Sequence, residues 1–437
     1  MQILCAVLIL AACFISKILV LVAGIASLAY IFSKAKWEQK FAFFMFILSF
    51  SPIFKFNKDQ TSLFMFLRIG IILSYMFQYR EKFSFKFITS LIAFFAYGFI
   101  VSELNGNDYL VQLINFMIWI MVGYIIVNTL KSSDLTPVIR SLTIGIFITG
   151  TIGFFINEIP VLKEEIGMLS TFAEDGAIVY RYAAFWKDPN YFTILLIVAI
   201  WCYYIEYNKK RVNNVEFALS AFYLSFIGLM TMSKSCTILL LIFWLYVITT
   251  KNDVSTTSKT ALVFGMIIAA IVFLQKNPYW ISDIFYRFGS DKESITLSTV
   301  TTGRNDLWTH YLKNIFADYS WIFGNGVNAE LLEINGEPKG SHNMYIEILY
   351  TLGAVGSAIY VWVFYNMYQN AKKRFDVKIY SRKSGPEKNL IIAILMTMFF
   401  LNGLYNEVYY YLLPLSLVCM IDNSSRNENH EEELVDE

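Results

Sequence analysis

Long apolar runs alternate with short polar clusters over most of this 437-residue chain. A hydrocarbon core of roughly 30 Å needs about 20 apolar residues per helix. Cutting the chain at its charged clusters on that scale predicts spans over residues 38–54, 62–78, 86–102, 109–130, 137–157, 190–207, 214–231, 235–250, 258–275, 346–368, 388–403 and 407–421. Residues 3–33 would make a helix of about 45 Å at about 1.5 Å per residue, so the pattern predicts a hairpin turning near Ser16 and Lys17. The run lacks a basic leading region and a small-residue cleavage site and is read as retained. The fold class expected is an all-α polytopic integral membrane protein with about 13 to 14 transmembrane helices.

Composition agrees with that pattern. The mean hydropathy is +0.52 and only 16% of residues are charged, against about 25% in soluble domains. Basic residues then set the orientation, because short loops rich in them stay cytoplasmic. One alternate set of loops holds 20 of the 35 Lys and Arg residues, ending in the cluster from Lys372 to Lys388. The short loops of the other set hold only Lys55, Lys58 and Lys234.

With this orientation the chain divides into six parts: N-terminal transmembrane helices (1–157), a first extracytoplasmic loop (158–189), central transmembrane helices (190–275), a large helical extracytoplasmic loop (276–345), C-terminal transmembrane helices (346–421) and an acidic cytoplasmic tail (422–437). Loops longer than about 15 residues usually carry function or are disordered. The two outer segments hold aromatics, glycines and spaced charges, so the chemistry is expected there.

Several function classes lack their residues. The five cysteines fall within or at the edges of spans, with no CxxC and no Cys/His cluster. There is no Walker A sequence, no GxGxxG before a helix and no DxD pair. No metal, cofactor or nucleic acid is expected; membrane lipids are expected partners. His310 and His430 read as structural or solvated residues.

The polar residues of the outer segments form a more specific pattern. Arg181 precedes an aromatic stretch, and Asp188-Pro189-Asn190 enters the span at 190. A residue before proline avoids the helical region and proline suits a first helical turn, so Asn190 is expected to face the outer water layer. Arg304 and Trp308 are four residues apart on one face of an amphipathic helix. Gly340-Ser341-His342-Asn343 sits at the lip of the span that follows. Arg181, Arg304 and His342 are expected to converge just above the membrane. Arginine offers a planar fork to phosphate oxygens, and histidine exchanges protons near neutral pH. Arg68 lies inside a span, where a charge costs at least about 2.5 kcal/mol unless it meets protein or water; it is expected to line the outer cavity. Glu407 and Asn406, in an outer turn, are candidates for sugar contact, and nearby Tyr and Trp rings for stacking.

These residues resemble the bacterial superfamily of O-antigen ligases and O-antigen or capsule repeat-unit polymerases. The resemblance rests on Arg181 with Phe185 and Asp188-Pro189-Asn190; on Ser233-Lys234-Ser235; on Gly303-Arg304 with Trp308; on Gly324 and Gly326; and on His342-Asn343 with Tyr345, Gly353 and Gly356. It covers roughly the C-terminal 60% of the chain. Lys234 stands where the family often has arginine, and Ala184 where it commonly has glycine.

The resemblance implies a GT-C-like, metal-independent, inverting glycosyltransferase without cofactor, whose donor and partner is an oligosaccharide on undecaprenyl diphosphate. It assigns Arg181, Arg304 and His342 as catalytic, and Arg68, Asn190, Asp188, Trp308, Asn343, Tyr345, Lys234 and Glu407 are read as substrate-binding. The expected location is the bacterial cytoplasmic membrane with the site on its periplasmic or extracellular side, and a chain-length regulator protein is a candidate partner. A repeat-unit polymerase is favoured over a ligase that moves the finished chain to the lipid A core. A transporter of lipid-linked sugars is the alternative from another class, and would place charges across midplane positions. Apart from Arg68 and Lys17, the charges lie mainly at span ends.

Overall fold

The chain opens with two helices, α1 (Gln2–Phe14) and α2 (Ile18–Phe32). They are parted where the Ile18 N–H donates to Ser16 Oγ at 3.3 Å, the turn expected from the length of the apolar run. The computed structural model describes residues 1–56, 62–78, 83–155, 159–162, 171–174, 177–186, 188–250, 303–317, 319–334, 336–374, 385–401 and 403–420. Further helices follow: α3 (Trp37–Leu48), α4 (Phe64–Gln78), α5 (Phe85–Leu104), α6 (Leu110–Thr129), α7 (Leu135–Phe154), α8 (Pro189–Asn208), α9 (Asn214–Met230) and α10 (Lys234–Thr249). Beyond residue 303 come α11 (Arg304–Ile315), the single turn α12 (Ser320–Phe323), α13 (Met344–Arg374), α14 (Pro386–Phe399) and α15 (Glu407–Met420). The expected span at 258–275, the outer segment up to residue 302 and the tail at 422–437 lie outside the described residues.

Side-chain caps start several of these helices, satisfying backbone donors that have no partner within the helix. Ser84 accepts from the Phe87 N–H, Asn213 from the Glu216 N–H at 2.8 Å, and Ser233 from the Cys236 N–H. Among the described residues, α5, α6, α7, α8 and the Met344–Lys373 stretch of α13 are long and apolar enough to cross a membrane, and shorter apolar helices accompany them. The protein is mostly helical and of the multi-pass membrane type. Two small antiparallel hairpins depart from the all-α expectation: β1 (Thr171–Glu174) with β2 (Ala177–Tyr180), and β3 (Leu332–Ile334) with β4 (Glu337–Lys339). Both fall in the expected outer loops, where segments of three or four residues leave no periodic signal to read.

The chain forms two compact units. The first comprises Met1–Ala23, Ala42–Ser62 and Thr136–Gly303. In it α8 packs against α9 and α10, with Trp201 of α8 set edge-on to Phe243 of α10. Arg140 of α7 grips Glu216 of α9 with two bonds of 2.6 and 2.7 Å.

The second unit comprises Gly24–Phe41, Leu63–Leu135 and Arg304–Glu437. Its axis is α13, which touches α5, α6, α11, α12 and α14. Near the end expected in the cytoplasm, Asn370 of α13 donates to Tyr124 Oη of α6 at 2.9 Å. The buried Lys40 donates to Ser74 Oγ at 3.0 Å and Gln78 Oε1 at 2.9 Å.

Candidate active site

In the first unit, the residues singled out around Arg181 form a buried polar cluster. Asp188 caps α8 by accepting the Asn190 N–H at 2.8 Å, and Pro189 fills the first helical position, as the sequence predicts. Asn190 itself does not face water. It is 7% exposed, and its Oδ1 accepts from Arg181 Nη2 at 3.2 Å and from Ser233 Oγ at 2.7 Å. The expectation of an outward Asn190 fails because an oxygen with two inward donors is better satisfied in the protein than a terminus argument allows. Arg181 Nε also donates to the Thr231 carbonyl at 3.4 Å, and Ser233 Oγ bonds to Ser235 Oγ at 2.8 Å. Lys234 opens α10 between these two serines. The Asn190 amide and the Thr231 carbonyl therefore help orient the guanidinium.

Two non-glycine residues with positive φ flank this cluster: Ala184 at +49° and Met232 at +48°. An L-residue there costs about 1 to 2 kcal/mol. A glycine at 184 would adopt the same conformation without that cost. A Cβ on Gly153 would come within 2.7 Å of Ala184 Cα, so the turn lies directly on α7.

In the second unit, Arg304 begins α11 and its Nη1 donates to the Phe400 carbonyl at 2.8 Å. Trp308, one turn on, donates from Nε1 to the Ser341 carbonyl at 3.0 Å, which ties α11 to the residue before His342. The expected pairing of Arg304 and Trp308 on one helix face is present. Tyr311 completes the row by donating to the Lys339 carbonyl at 2.8 Å. Burial pushes its phenol up to about 12.

His342 sits in the left-handed region at φ +50°. That conformation is uncommon outside glycine, and asparagine, aspartate and histidine adopt it most readily. Ser341 Oγ and Asn343 close the turn around it, with Ser341 Oγ donating to the Asn343 carbonyl at 3.0 Å. Asn343, 2% exposed, is the cap of α13: its Oδ1 accepts from the Tyr345 N–H at 3.0 Å and the Ile346 N–H at 3.2 Å. Tyr345 donates its hydroxyl to the Leu395 carbonyl at 3.0 Å. The cap and strained turn fix where the α13 entrance holds the histidine.

The glycine pairs in the same unit also have a shared structural role. Gly353 breaks α13 at φ 63°, ψ −173°, and Gly324 ends α12 at φ 77°, ψ 176°. A Cβ on Gly324 would stand 2.6 Å from the Gly353 nitrogen. The carbonyls just before the break find donors elsewhere: Tyr350 O from the Asn325 N–H and Thr351 O from the Gly326 N–H, both at 2.9 Å, and Leu352 O from Tyr97 Oη at 3.0 Å. Broken helix is tolerated at membrane depth only when its backbone groups are satisfied in this way.

Arg68 is enclosed by protein. It is 4% exposed and pairs with Glu407 at 2.8 Å, at the start of α15, with the Phe64 ring 5.4 Å from its guanidinium carbon. Sequence reasoning treated Arg68 and Glu407 as separate candidates and did not include Glu347, whose Oε2 accepts the Leu404 N–H at 3.1 Å. It also passed over Thr231 and the Phe400 carbonyl, which have no side-chain signature for their role. The structure thus groups Arg181, Asp188, Asn190 and Lys234 in one unit, and Arg304, Trp308, His342, Asn343, Tyr345, Arg68 and Glu407 in the other.

Arginines oriented by hydrogen bonds, and a histidine held next to the Asn343 cap of an apolar helix, suit binding of an anionic substrate. Residues 219–361 match the family model of the O-antigen ligase. The ComP-specific O-oligosaccharyltransferase of Acinetobacter baylyi (strain ATCC 33305 / BD413 / ADP1) is 25% identical over 252 residues, covering 53% of this chain and 42% of that protein. The match therefore spans less than half of that relative's length. No solved structure matches the chain. The resemblance to the superfamily of O-antigen ligases and repeat-unit polymerases, read first from the motifs, is shown by these two similarities.

Proposed function

We propose that this chain is a glycosyltransferase of the bacterial cytoplasmic membrane that joins undecaprenyl-diphosphate-linked oligosaccharide repeat units into O-antigen or capsular polysaccharide. The observation that supports glycan transfer from a lipid-linked donor is the O-antigen ligase family match over residues 219–361, which takes in Ser233, Arg304 and His342 and is shared by polymerase and ligase readings. The proposal includes a GT-C-like arrangement of 13 to 14 crossings. The segments 158–189 and 276–345 lie on the periplasmic or extracellular side, between the transmembrane groups 1–157, 190–275 and 346–421, and the tail 422–437 is cytoplasmic. A chain-length regulator protein is a proposed partner.

In this reaction an acceptor hydroxyl oxygen forms a bond to the anomeric carbon as that carbon's bond to the diphosphate oxygen breaks, with inversion. The electron pair leaves on the diphosphate and the hydroxyl proton passes to His342. Negative charge grows on the leaving group, so Arg181 and Arg304 act most strongly in the transition state. General base catalysis by His342 contributes about 10² to 10⁴ in rate. Trp308 and Tyr345 offer ring faces to the sugars, and Lys234 adds positive charge. Asp188, Asn190 and Asn343 act from their helix starts.

A second reading is transfer of a finished glycan to a different acceptor, as an O-antigen ligase or O-oligosaccharyltransferase does; the family description and the relative's name favour it. The polysaccharide ladder from cells lacking the gene tests both. Restoration of a full ladder by wild type, with a single repeat unit left by His342→Ala or Arg304→Ala at matched expression, supports polymerisation. Long chains that accumulate on the carrier in those variants support transfer to another acceptor. Wild-type ladders from both variants remove the catalytic assignment and favour a transporter.

A further inference from the structure

The turn from Phe400 to Glu407 gathers contacts from distant parts of the second unit. Its Phe400 carbonyl accepts from Arg304. Its Leu404 N–H donates to Glu347 Oε2. Tyr405 Oη accepts the Asn328 N–H at 3.0 Å, and its ring stacks on Phe116 at 5.4 Å. Tyr410 of α15 donates to the Leu404 carbonyl at 2.9 Å. Glu407, at the start of α15, pairs with the buried Arg68. A Cβ on Gly403 would lie 2.5 Å from Met344 Sδ, so the turn also presses on the α13 entrance two residues beyond His342. The same short segment is thus in contact with Arg304 on one side and with the histidine's helix on the other.

The ion pair is largely enclosed by protein. Arg68 is nine-tenths buried, and the Glu407 side chain is 14% exposed. A pair this enclosed is poorly placed to touch a sugar, and breaking it leaves an uncompensated charge in the protein. From these contacts we infer that Arg68 and Glu407 are a positioning pair: they lock the Phe400–Glu407 turn so that its Phe400 carbonyl fixes the Arg304 guanidinium, with Glu347 holding the turn at its middle. This replaces the direct substrate contact expected of Arg68 and Glu407 and rests on the glycosyltransferase reading for what Arg304 does. A guanidinium misplaced by about 1 Å loses up to about 100-fold in rate. Because it acts on charge that develops in the transition state, the loss falls on kcat more than on KM for the donor.

The test measures kcat and donor KM for purified full-length protein with an undecaprenyl-diphosphate-linked repeat unit. The variants are Glu407→Gln, Arg68→Lys, Glu347→Gln and the swap Arg68→Glu with Glu407→Arg, each with and without Arg304→Ala, and thermal unfolding in detergent runs alongside. The expected result for Glu407→Gln is a fall in kcat of about 10- to 100-fold with donor KM little changed, partial recovery in the swap, and no further loss when Arg304 is already alanine. Wild-type kcat in Glu407→Gln and Arg68→Lys, with Arg304→Ala impaired, overturns the inference and leaves the function standing. Equal losses with and without Arg304 also overturn it, in favour of an independent substrate contact. If every pair variant unfolds while Glu347→Gln keeps wild-type kcat, the pair is structural only and the inference falls. Full turnover by Arg304→Ala would instead remove the functional reading itself.

Discussion

The surroundings of Arg181 and Arg304 are built from different materials. Arg181 is held by the Thr231 carbonyl and by a side-chain network, Asn190 to Ser233 to Ser235, gathered at the starts of two helices. Arg304 is held by a main-chain carbonyl from a turn 96 residues away, next to a helix broken by glycine. Sensitivity should therefore lie in different residue types. Near Arg181 it lies in polar side chains that can be deleted one at a time. Near Arg304 it lies in glycines and turn contacts that let backbones approach.

Substitution at the two centres themselves should have the largest effects and would break the comparison if the centres differed. Arg304→Ala and Arg181→Ala should each lower turnover of lipid-linked donor by about 10² to 10³, measured by carrier release at equal folded protein. A full loss at one arginine and none at the other would leave a single working centre.

The next effect separates the two building materials. Gly324→Ala and Gly353→Ala combine a backbone region used essentially by glycine alone with a Cβ forced against main chain. Each should destabilise the protein by about 3 kcal/mol or more. Gly336→Ala has a similar φ of +77° but open space around it, and should cost only about 1 to 2 kcal/mol. Thermal unfolding in detergent orders the three. Equal losses would mean that close approach at the helix break is unimportant.

Asn190→Ala and Ser233→Ala sharpen the Arg181 side. Ser233→Ala removes a helix cap and a buried bond together, about 1 to 2 kcal/mol, and should lower activity beyond what its stability loss explains. Activity that simply follows folded fraction would show that the network does not orient Arg181. The smallest effect is a gain: Ala184→Gly relieves the left-handed alanine but loosens the unfolded chain, for a net stabilisation below about 1 kcal/mol.

What the sequence made legible follows the same division. Helix positions could be read because charged clusters bound each apolar run, and the turn between α1 and α2 came from an apolar run too long for one crossing. Asp188-Pro189-Asn190 could be read because capping is local. The burial of Asn190 could not, since it depends on Ser233, 43 residues further on. The contact between Arg304 and Phe400 left no trace because any residue supplies a carbonyl. The glycines at 324 and 353 were visible as motif members, but their mutual contact needed the fold. The pairing of Arg68 with Glu407 was hidden for the same reason: each charge looked like a surface or cavity feature until the other was found beside it.

In the proposed reaction a glycan–diphosphate bond breaks with arginines on the leaving group and His342 at the acceptor. Release of undecaprenyl diphosphate from a synthetic lipid-linked repeat unit by the purified protein, with a chelator present, tests it most directly. The account predicts one carrier diphosphate released per new glycosidic bond, continuing in the chelator and lost in Arg304→Ala and His342→Ala. Absence of release from well-folded wild-type protein, or release unchanged in both variants, would contradict it.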